Sequence, residues 1–296
     1  MSEWKSLELT DAPLYRAHTS AAPSQNAWLS FGMPYLWDVS GAHRLWEAGG
    51  CLAVEWRGTE KPPFFTFPVG AGDLAAAVDA LRRHTAGEGR RLTFRYVDED
   101  CRAALEAACP GQFVFTEDRG AADYLYGIDA LSTLSGKRLH AKRNFCNRFE
   151  KSHDWRAEPV TGERFDGCRA VFARWAEGRE ATGAEHLAIE RAFAGWEALG
   201  LEGCVLYDGE EPIAFAVGEL LREDTFDVHF EKAVEHIPGA YPMICREFAR
   251  QVAAAHPLVR YVNREEDMDL PNLRQAKESW FPCSLLKKYV AEEKTE

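Results

Sequence analysis

At 296 residues, with 46% hydrophobic and 28% charged positions, the chain is long enough for two domains and apolar enough to bury a core, which excludes a disordered protein. Its net charge of -12 sets an average field that repels nucleic acid and anionic lipid, so affinity for either requires a local basic patch. No apolar run approaches the roughly 20 residues of a membrane-spanning helix, and the N-terminus lacks a charged-then-apolar leader. The expectation is a cytoplasmic chain, at most peripheral to a membrane, with no integral membrane segment.

Residues 1 to 25 are polar and alanine-rich and are expected to lie over the surface of a first domain. Aromatic and apolar residues are dense from Trp28 to Trp46, which suggests a helix or loop pair with one buried face. Cys51 to Trp56 reads as a strand, Arg57 to Glu60 as a turn and Phe64 to Phe67 as a hairpin partner. Asp73 caps a helix to about His84, Arg91 to Val97 is a strand, and a helix runs from Arg102 to Ala108.

Between two such regions lies Ser135 to Lys151, which includes Lys137, Arg138, Lys142, Arg143, Asn144 and Arg148. On a helix, Phe145 and Phe149 at i, i+4 form the buried side and Lys142 and Arg143 point away from it. In an acidic chain this is the best candidate for a phosphate-binding face; a solvated basic helix face is the alternative. A helix pair at Asp166 to Glu177 and Ala188 to Leu199 carries Trp175 and Trp196 in its apolar stripes, where aromatics are expected to be core.

The first element order then returns. Cys204 to Leu221 is a hairpin, and Thr225 to Lys232 alternates strictly, with Phe226, Val228 and Phe230 on one face and Asp227, His229 and Glu231 on the other. A helix from about Tyr241 to Ala254 buries Ile244, Phe248 and Val252, and a strand at Val259 to Val262 leads into Asn263-Arg264-Glu265-Glu266-Asp267. A short helix from Leu273 to Trp280 places Arg274 and Lys277 on one face, and Leu285 to Glu296 reads as a fraying tail. From Pro68 to Val97 is 29 positions and from Glu231 to Val262 is 31, so element order and spacing predict two copies of one fold in tandem. The first copy has Phe-Pro-Val-Gly where the second has His-Phe-Glu-Lys, which assigns any chemistry to the second.

The polar faces of that second copy outline a cleft. His229 is the natural proton acceptor near neutral pH, and Glu231 fills that role where desolvation raises its pKa. Arg264 among Glu265, Glu266 and Asp267 reads as a salt-bridged network shaping a pocket. Gly239 and Ala240 open a helix whose N-terminus suits an anion. The eight cysteines stand singly, without a C-x-x-C pair, and are expected as buried free thiols rather than metal ligands. Gly-x-Gly-x-x-Gly, Walker and Gly-x-Ser-x-Gly patterns are absent, which argues against NAD enzymes, P-loop NTPases and α/β-hydrolases.

The runs Asp123-Tyr124-Leu125-Tyr126, Leu134 to Asn144, His229-Phe230-Glu231-Lys232-Ala233, Gly239-Ala240-Tyr241, Val262 to Asp267 and Leu273 to Pro282 resemble the bacterial family related to the C-terminal domain of phosphatidylglycerol lysyltransferases. The resemblance spans nearly the whole chain. It implies an α+β protein of two GNAT-like (acyl-CoA N-acyltransferase) domains in tandem, with mixed central sheets flanked by helices. Residues 1–130 would form a non-catalytic N-terminal domain and 131–296 the domain with the site. It also implies an acyltransferase that moves an aminoacyl group from aminoacyl-tRNA to an amine or hydroxyl. The rivals are a non-catalytic binding module and an acetyl-CoA-dependent N-acetyltransferase.

The partners implied are tRNA, through the basic patch, and a lipid head group or peptide as acceptor. Acetyl-CoA is the alternative donor, less favoured because the usual glycine-rich coenzyme A loop is reduced to Pro238-Gly239-Ala240. Cys245, Trp280 and Met268-Asp269 depart from the family pattern, which bears on the substrate more than on the fold. Together the readings nominate His229, Glu231, Asn263 and Lys277 as catalytic. Lys137, Lys142, Arg143, Asn144, Lys232, Gly239, Tyr241, Arg264, Glu265, Asp267 and Arg274 are nominated to hold substrate or donor. On this reading, alanine at Glu231 or Lys277 abolishes transfer and leaves the melting temperature nearly unchanged.

Overall fold

The computed structural model describes residues 4–19, 24–58, 62–179 and 183–294. The first half runs β1 (Trp4–Ser6), α1 (Ala12–Thr19), α2 (Gly32–Leu36), β2 (Arg44–Ala48), β3 (Cys51–Trp56), β4 (Phe64–Phe65), α3 (Leu74–Gly87), β5 (Thr93–Val97), α4 (Glu99–Ala108) and β6 (Phe113–Glu117). The helix starts follow from capping: Asp73 accepts from the Ala76 N–H and Asp98 from the Cys101 N–H, which satisfies otherwise orphaned donors. The dense aromatic stretch does not stay helical to its end, because its last residues form β2 and bury Leu45 and Trp46.

The second half runs β7 (Asp123–Gly127), α5 (Ile128–Thr133), α6 (His140–Ser152), β8 (Trp155–Pro159), α7 (Phe165–Ala176), α8 (Gly183–Ala194), α9 (Trp196–Leu199), β9 (Leu201–Asp208), β10 (Glu211–Arg222) and β11 (Thr225–Ala233). It closes with α10 (Ala240–Ala255), β12 (Tyr261–Asn263), α11 (Pro271–Glu278), β13 (Ser284–Leu286) and β14 (Tyr289–Glu293). The expected fraying tail is therefore ordered strand: Tyr289 and Ala291 are buried and pair with both β5 and β6. Its alternation of apolar and polar residues satisfies a sheet position that the end of the chain would otherwise leave empty.

Two compact units result. One comprises residues 1–123, 266–270 and 286–296, the other 124–265 and 271–285. Among the described residues the first holds a seven-stranded sheet in the order β1-β2-β3-β4-β5-β14-β6, and the second sheet has the order β8-β9-β10-β11-β12-β7-β13. Position by position the plans agree. In each, the fourth and fifth strands are parallel (β4 with β5, β11 with β12) and are joined through a helix, α3 or α10. In each, the sixth strand is antiparallel to the fifth. The internal repeat is thus visible in topology, and each copy takes its sixth strand from the segment that follows the other copy.

Within the second unit, α10 turns Met243, Ile244, Cys245, Phe248 and Val252 inward. They share a core with Ala214 and Ala216 of β10 and Phe226 and Val228 of β11. α7 lies against the same two strands, and residues alternating with that core face its side. Gly239, the residue before α10, has a φ of +94°, and a Cβ there would meet the Phe145 carbonyl oxygen at 3.1 Å. Glycine is required at that position both by the left-handed backbone and by the close approach of α6.

Candidate functional site

Strict alternation in β11 predicts one shared face for Asp227, His229 and Glu231, and the structure divides them. Val217 pairs with Phe230 and Gly218 with Val228, so His229 is an extra residue, a β-bulge. Beyond the bulge the faces exchange. Asp227 and His229 remain on the side opposite the α10 core, whereas Glu231, paired with Ala216, joins Phe226, Val228 and Cys245 on the α10 side. Phe230 correspondingly crosses to the side of His229. A period-2 reading carries no information about an inserted residue.

His229 is enclosed, with none of its side chain exposed. Its Nδ1 lies 2.9 Å from Glu265 Oε1 and 3.7 Å from Asp227 Oδ2, and its Nε2 lies 3.1 Å from Glu219 Oε1. Burial alone pulls its pKa down, but the hydrogen bonds to Glu219 and Glu265 and the Asp227 charge outweigh it and push the value well above the ordinary 6.5. Both ring nitrogens are engaged, so His229 is an imidazolium clamp between strands and not a proton acceptor open to substrate. Ligand atoms of Asp227, His229 and Glu265 all lie within 4.8 Å of one another, a spacing a metal ion could also use; the two hydrogen bonds account for the arrangement without one. Glu265 reaches the clamp from a left-handed backbone (φ +57°), held by its N–H donating to Asn263 Oδ1 at 2.7 Å. Asn263 is fully buried and spends that oxygen on the turn.

The clamp makes a prediction. Because its folded pKa is raised, His229 contributes stability that is complete below pH 6.5 and is lost as pH climbs through the folded value. Unfolding free energy should decline on the alkaline side by about 1.5–3 kcal/mol, the scale of a hydrogen bond to a charged group. His229→Gln should remove that slope, as read by denaturant titration from pH 6 to 10.

On the α10 side, Glu231 accepts a 2.8 Å hydrogen bond from Arg264 Nη2. Their side chains are only 12% and 14% exposed. The partner of Arg264 is therefore a residue 33 positions away rather than its acidic neighbours in sequence. Glu265 goes to the clamp, and Asp267, in the other unit, pairs with Arg119 at 3.1 Å. The guanidinium lies over Tyr126 (5.4 Å) and Trp280 (5.3 Å), and its Nη1 has no hydrogen-bond partner among the described residues. Lys142 Nζ lies 4.7 Å from the Trp280 ring centre and donates to Ser279 Oγ at 2.8 Å. Lys277 donates to the Arg264 carbonyl, and its Nζ lies 5.7 Å from the Tyr124 ring. Burial, then the Arg264 charge, lowers the Lys142 pKa, and burial raises the Cys245 thiol, leaving it neutral.

These side chains converge where β11 and β12 part. The two strands pair only from Thr225 to Asp227 and Tyr261 to Asn263, and β11 continues to Ala233 without that neighbour. The result is a buried Arg264–Glu231 ion pair, with Lys142 sharing the Trp280 ring with the guanidinium and Lys277 on the Arg264 carbonyl, walled by aromatic rings.

The other nominated residues are distributed differently. Cys146 and Phe149 form the buried side of α6, while Phe145 is 45% exposed, because the helix meets its neighbours one position away from the expected stripe. Arg143 donates to the carbonyls of Leu134 and Gly136 and so closes the preceding loop. Lys137 is exposed, and Asn144 contacts the His140 ring at 3.4 Å. Lys232 pairs with Glu185 at 2.6 Å and sits over the Trp175 ring at 3.9 Å. Trp175 and Trp196 are half-buried, not fully core. Tyr241 is half-buried, its hydroxyl pKa raised chiefly by burial. Arg274 is half-buried on α11. Seven cysteines are buried free thiols and Cys283 is exposed. The sequence reading did not single out Ser279, Tyr126 or Glu219. The only local signal for Ser279 was its position two residues after Lys277 on a helix already nominated.

The family described as phosphatidylglycerol lysyltransferase, C-terminal, matches residues 21–292. The crystal structure of a conserved protein of unknown function from Bacteroides thetaiotaomicron is 36% identical, with a TM-score of 0.92 over 99% of this chain and all of that one. L-PGS from Bacillus licheniformis aligns at 15% identity and a TM-score of 0.71, over 99% of this chain and 94% of that one. A tandem GNAT protein from the clavulanic acid biosynthesis pathway aligns at 11% identity and a TM-score of 0.54 over the full length of both. No curated protein matches. The fold is accordingly an α+β tandem GNAT-like fold, and no described helix is long and apolar enough to cross a membrane.

Proposed function

This chain belongs to the family of phosphatidylglycerol lysyltransferase C-terminal domains, and from that premise we propose that it transfers an aminoacyl group from aminoacyl-tRNA to an amine or hydroxyl acceptor. The observation that carries the reading is the buried Glu231–Arg264 pair with Lys142 and Lys277 beside it, at the point where β11 and β12 diverge. Acyl transfer develops negative charge on the carbonyl oxygen in its transition state, and fixed cations in a site shielded from water stabilise that charge strongly. Glu231 orients Arg264, whose uncommitted Nη1 and the Lys277 ammonium are donors for that oxygen. A buried donor without a partner costs about 1–3 kcal/mol, and an incoming oxyanion would recover it.

The acceptor must lose a proton as it attacks. His229 is enclosed on the other face, so that role falls to Lys142, whose charged form is disfavoured by burial and by Arg264. The exposed bases around Lys137 and Arg138 serve the phosphates of the donor. The acceptor classes are a lipid head group or a peptide, and the site of action is the cytoplasm or the membrane surface.

A thermal-shift and transfer assay tests the reading. Bulk aminoacyl-tRNA should stabilise the protein and donate its amino acid, with affinity falling steeply with salt, by roughly 0.7–0.9 in log–log slope per phosphate contact. Lys137→Ala should reduce that slope by about one contact without altering the fold; Arg143 is a poorer choice because it closes a loop. Stabilisation by coenzyme A and none by tRNA would replace the proposed donor with an acyl-CoA, and no response to either would leave a binding module.

A further inference from the structure

We propose that Ser279 is a nucleophile that carries the acyl group covalently, with Lys142 as its base, so that transfer proceeds by double displacement through an acyl-serine ester. The inference rests on the acyltransfer reading above and deepens it. Its observations are geometric. Lys142 Nζ lies 2.8 Å from Ser279 Oγ, within reach for direct proton exchange. Among the described residues no carboxylate lies within ion-pair distance of Lys142, whereas the half-buried Lys232 and the buried Lys288 each have one. Lys142 is half-buried and shares the Trp280 ring with the Arg264 guanidinium, and its bonded partner is a hydroxyl; burial and the like charge disfavour the ammonium and make the amine available as a base. Ser279 is half-buried, hence sheltered yet reachable, and Trp280 beside it forms a wall shared by Lys142 and Arg264.

In the resting arrangement Ser279 Oγ also donates to the Ala276 carbonyl at 2.6 Å. Rotation about Cβ–Oγ alone redirects that proton to Nζ, because Oγ already lies within bonding distance of it. The neutral Lys142 amine then takes the proton as Oγ bonds to the acyl carbon. The ester bond of the donor breaks, and the departing alkoxide takes the proton back from Lys142. In the second half the acceptor amine or hydroxyl attacks the acyl-serine, Lys142 removes its proton, the bond from carbon to Oγ breaks, and Oγ recovers the proton. Atoms and charge balance without a further reactant.

The test uses the whole chain and p-nitrophenyl acetate, an activated ester that bypasses donor recognition. A burst of p-nitrophenolate should accompany one acetyl group on the Ser279 peptide by mass spectrometry. Ser279→Ala should abolish both while unfolding like the parent, and Lys142→Met and Lys142→Arg should slow the burst by about 100-fold or more, the scale of lost general-base catalysis. An adduct confined to lysines, no adduct at all, or an unchanged burst in Ser279→Ala would overturn the proposal. Transfer from aminoacyl-tRNA is measured in parallel. If Ser279→Ala transfers at the parental kcat, the covalent step falls and the transferase stands. If Ser279 is acylated but tRNA donates nothing, the proposed donor falls and the dyad stands.

Discussion

Glu231→Ala should lower unfolding free energy by about 3–5 kcal/mol and abolish transfer, because it leaves the Arg264 guanidinium charged and largely buried without its carboxylate. Against the roughly 5–15 kcal/mol that holds a domain together, that loss would move the melting temperature by many degrees. The strand pattern alone leads to the opposite expectation, a silent substitution in an open cleft. Glu231→Gln separates the two roles: it keeps an acceptor for Arg264, so stability should fall by only about 1–2 kcal/mol, while the orientation of the guanidinium by charge is lost and kcat falls. Chemical denaturation and single-turnover transfer on both variants make the comparison. Alanine with a parental melting curve would mean the pair is not buried. Glutamine with parental kcat would confine Glu231 to structure.

Gly218→Ala should be the most damaging single-methyl change in the second unit. A Cβ there would overlap the Asp227 carbonyl oxygen and come within 2.7 Å of the Phe226 ring. Both are rigid, and Gly218 stands opposite the bulge that turns Glu231 toward α10. Overpacking against backbone costs about 1–3 kcal/mol or more, and relief requires moving the bulge, so loss of transfer should accompany loss of stability. Gly162→Ala is the control. Nothing lies within 4 Å of its added Cβ, and its φ is negative, so it should be neutral or stabilising by about 0.4–1 kcal/mol. Thermal melts of the two variants side by side decide whether the clash or glycine loss in general is responsible.

Much of the scaffold was legible because its signals are local. Asp73 and Asp98 announce the starts of α3 and α4, and the Ile244, Phe248 and Val252 stripe identifies α10. The repeated order of hairpin, strand, helix and strand exposed the tandem plan, which needs no side-chain partner to be recognised. Arg264 and Lys277 read as polar residues on elements that ought to be buried; Arg264 pairs with Glu231 and shares the Trp280 ring with Lys142, and Lys277 donates to the Arg264 carbonyl. Ser279 escaped notice because a lone serine near a helix end has many unremarkable uses, and only its distance to Lys142 distinguishes it.

What the residues determined by themselves was periodicity, capping and charge: element types, two copies of one plan, and a basic stretch in an acidic chain. Tertiary structure alone decided which side each polar residue faces and which partner it keeps. One inserted residue at His229 reverses every face beyond it, so Glu231 meets Arg264 and Cys245 while His229 is clamped between Glu219 and Glu265. β14, polar enough to read as a tail, is a central strand because a gap between β5 and β6 accepts it. Hydrophobic period and cap chemistry act over a few residues and are written where they act; pairing across a sheet is set by the competition of whole strands for backbone hydrogen bonds and buried area, which no local stretch records.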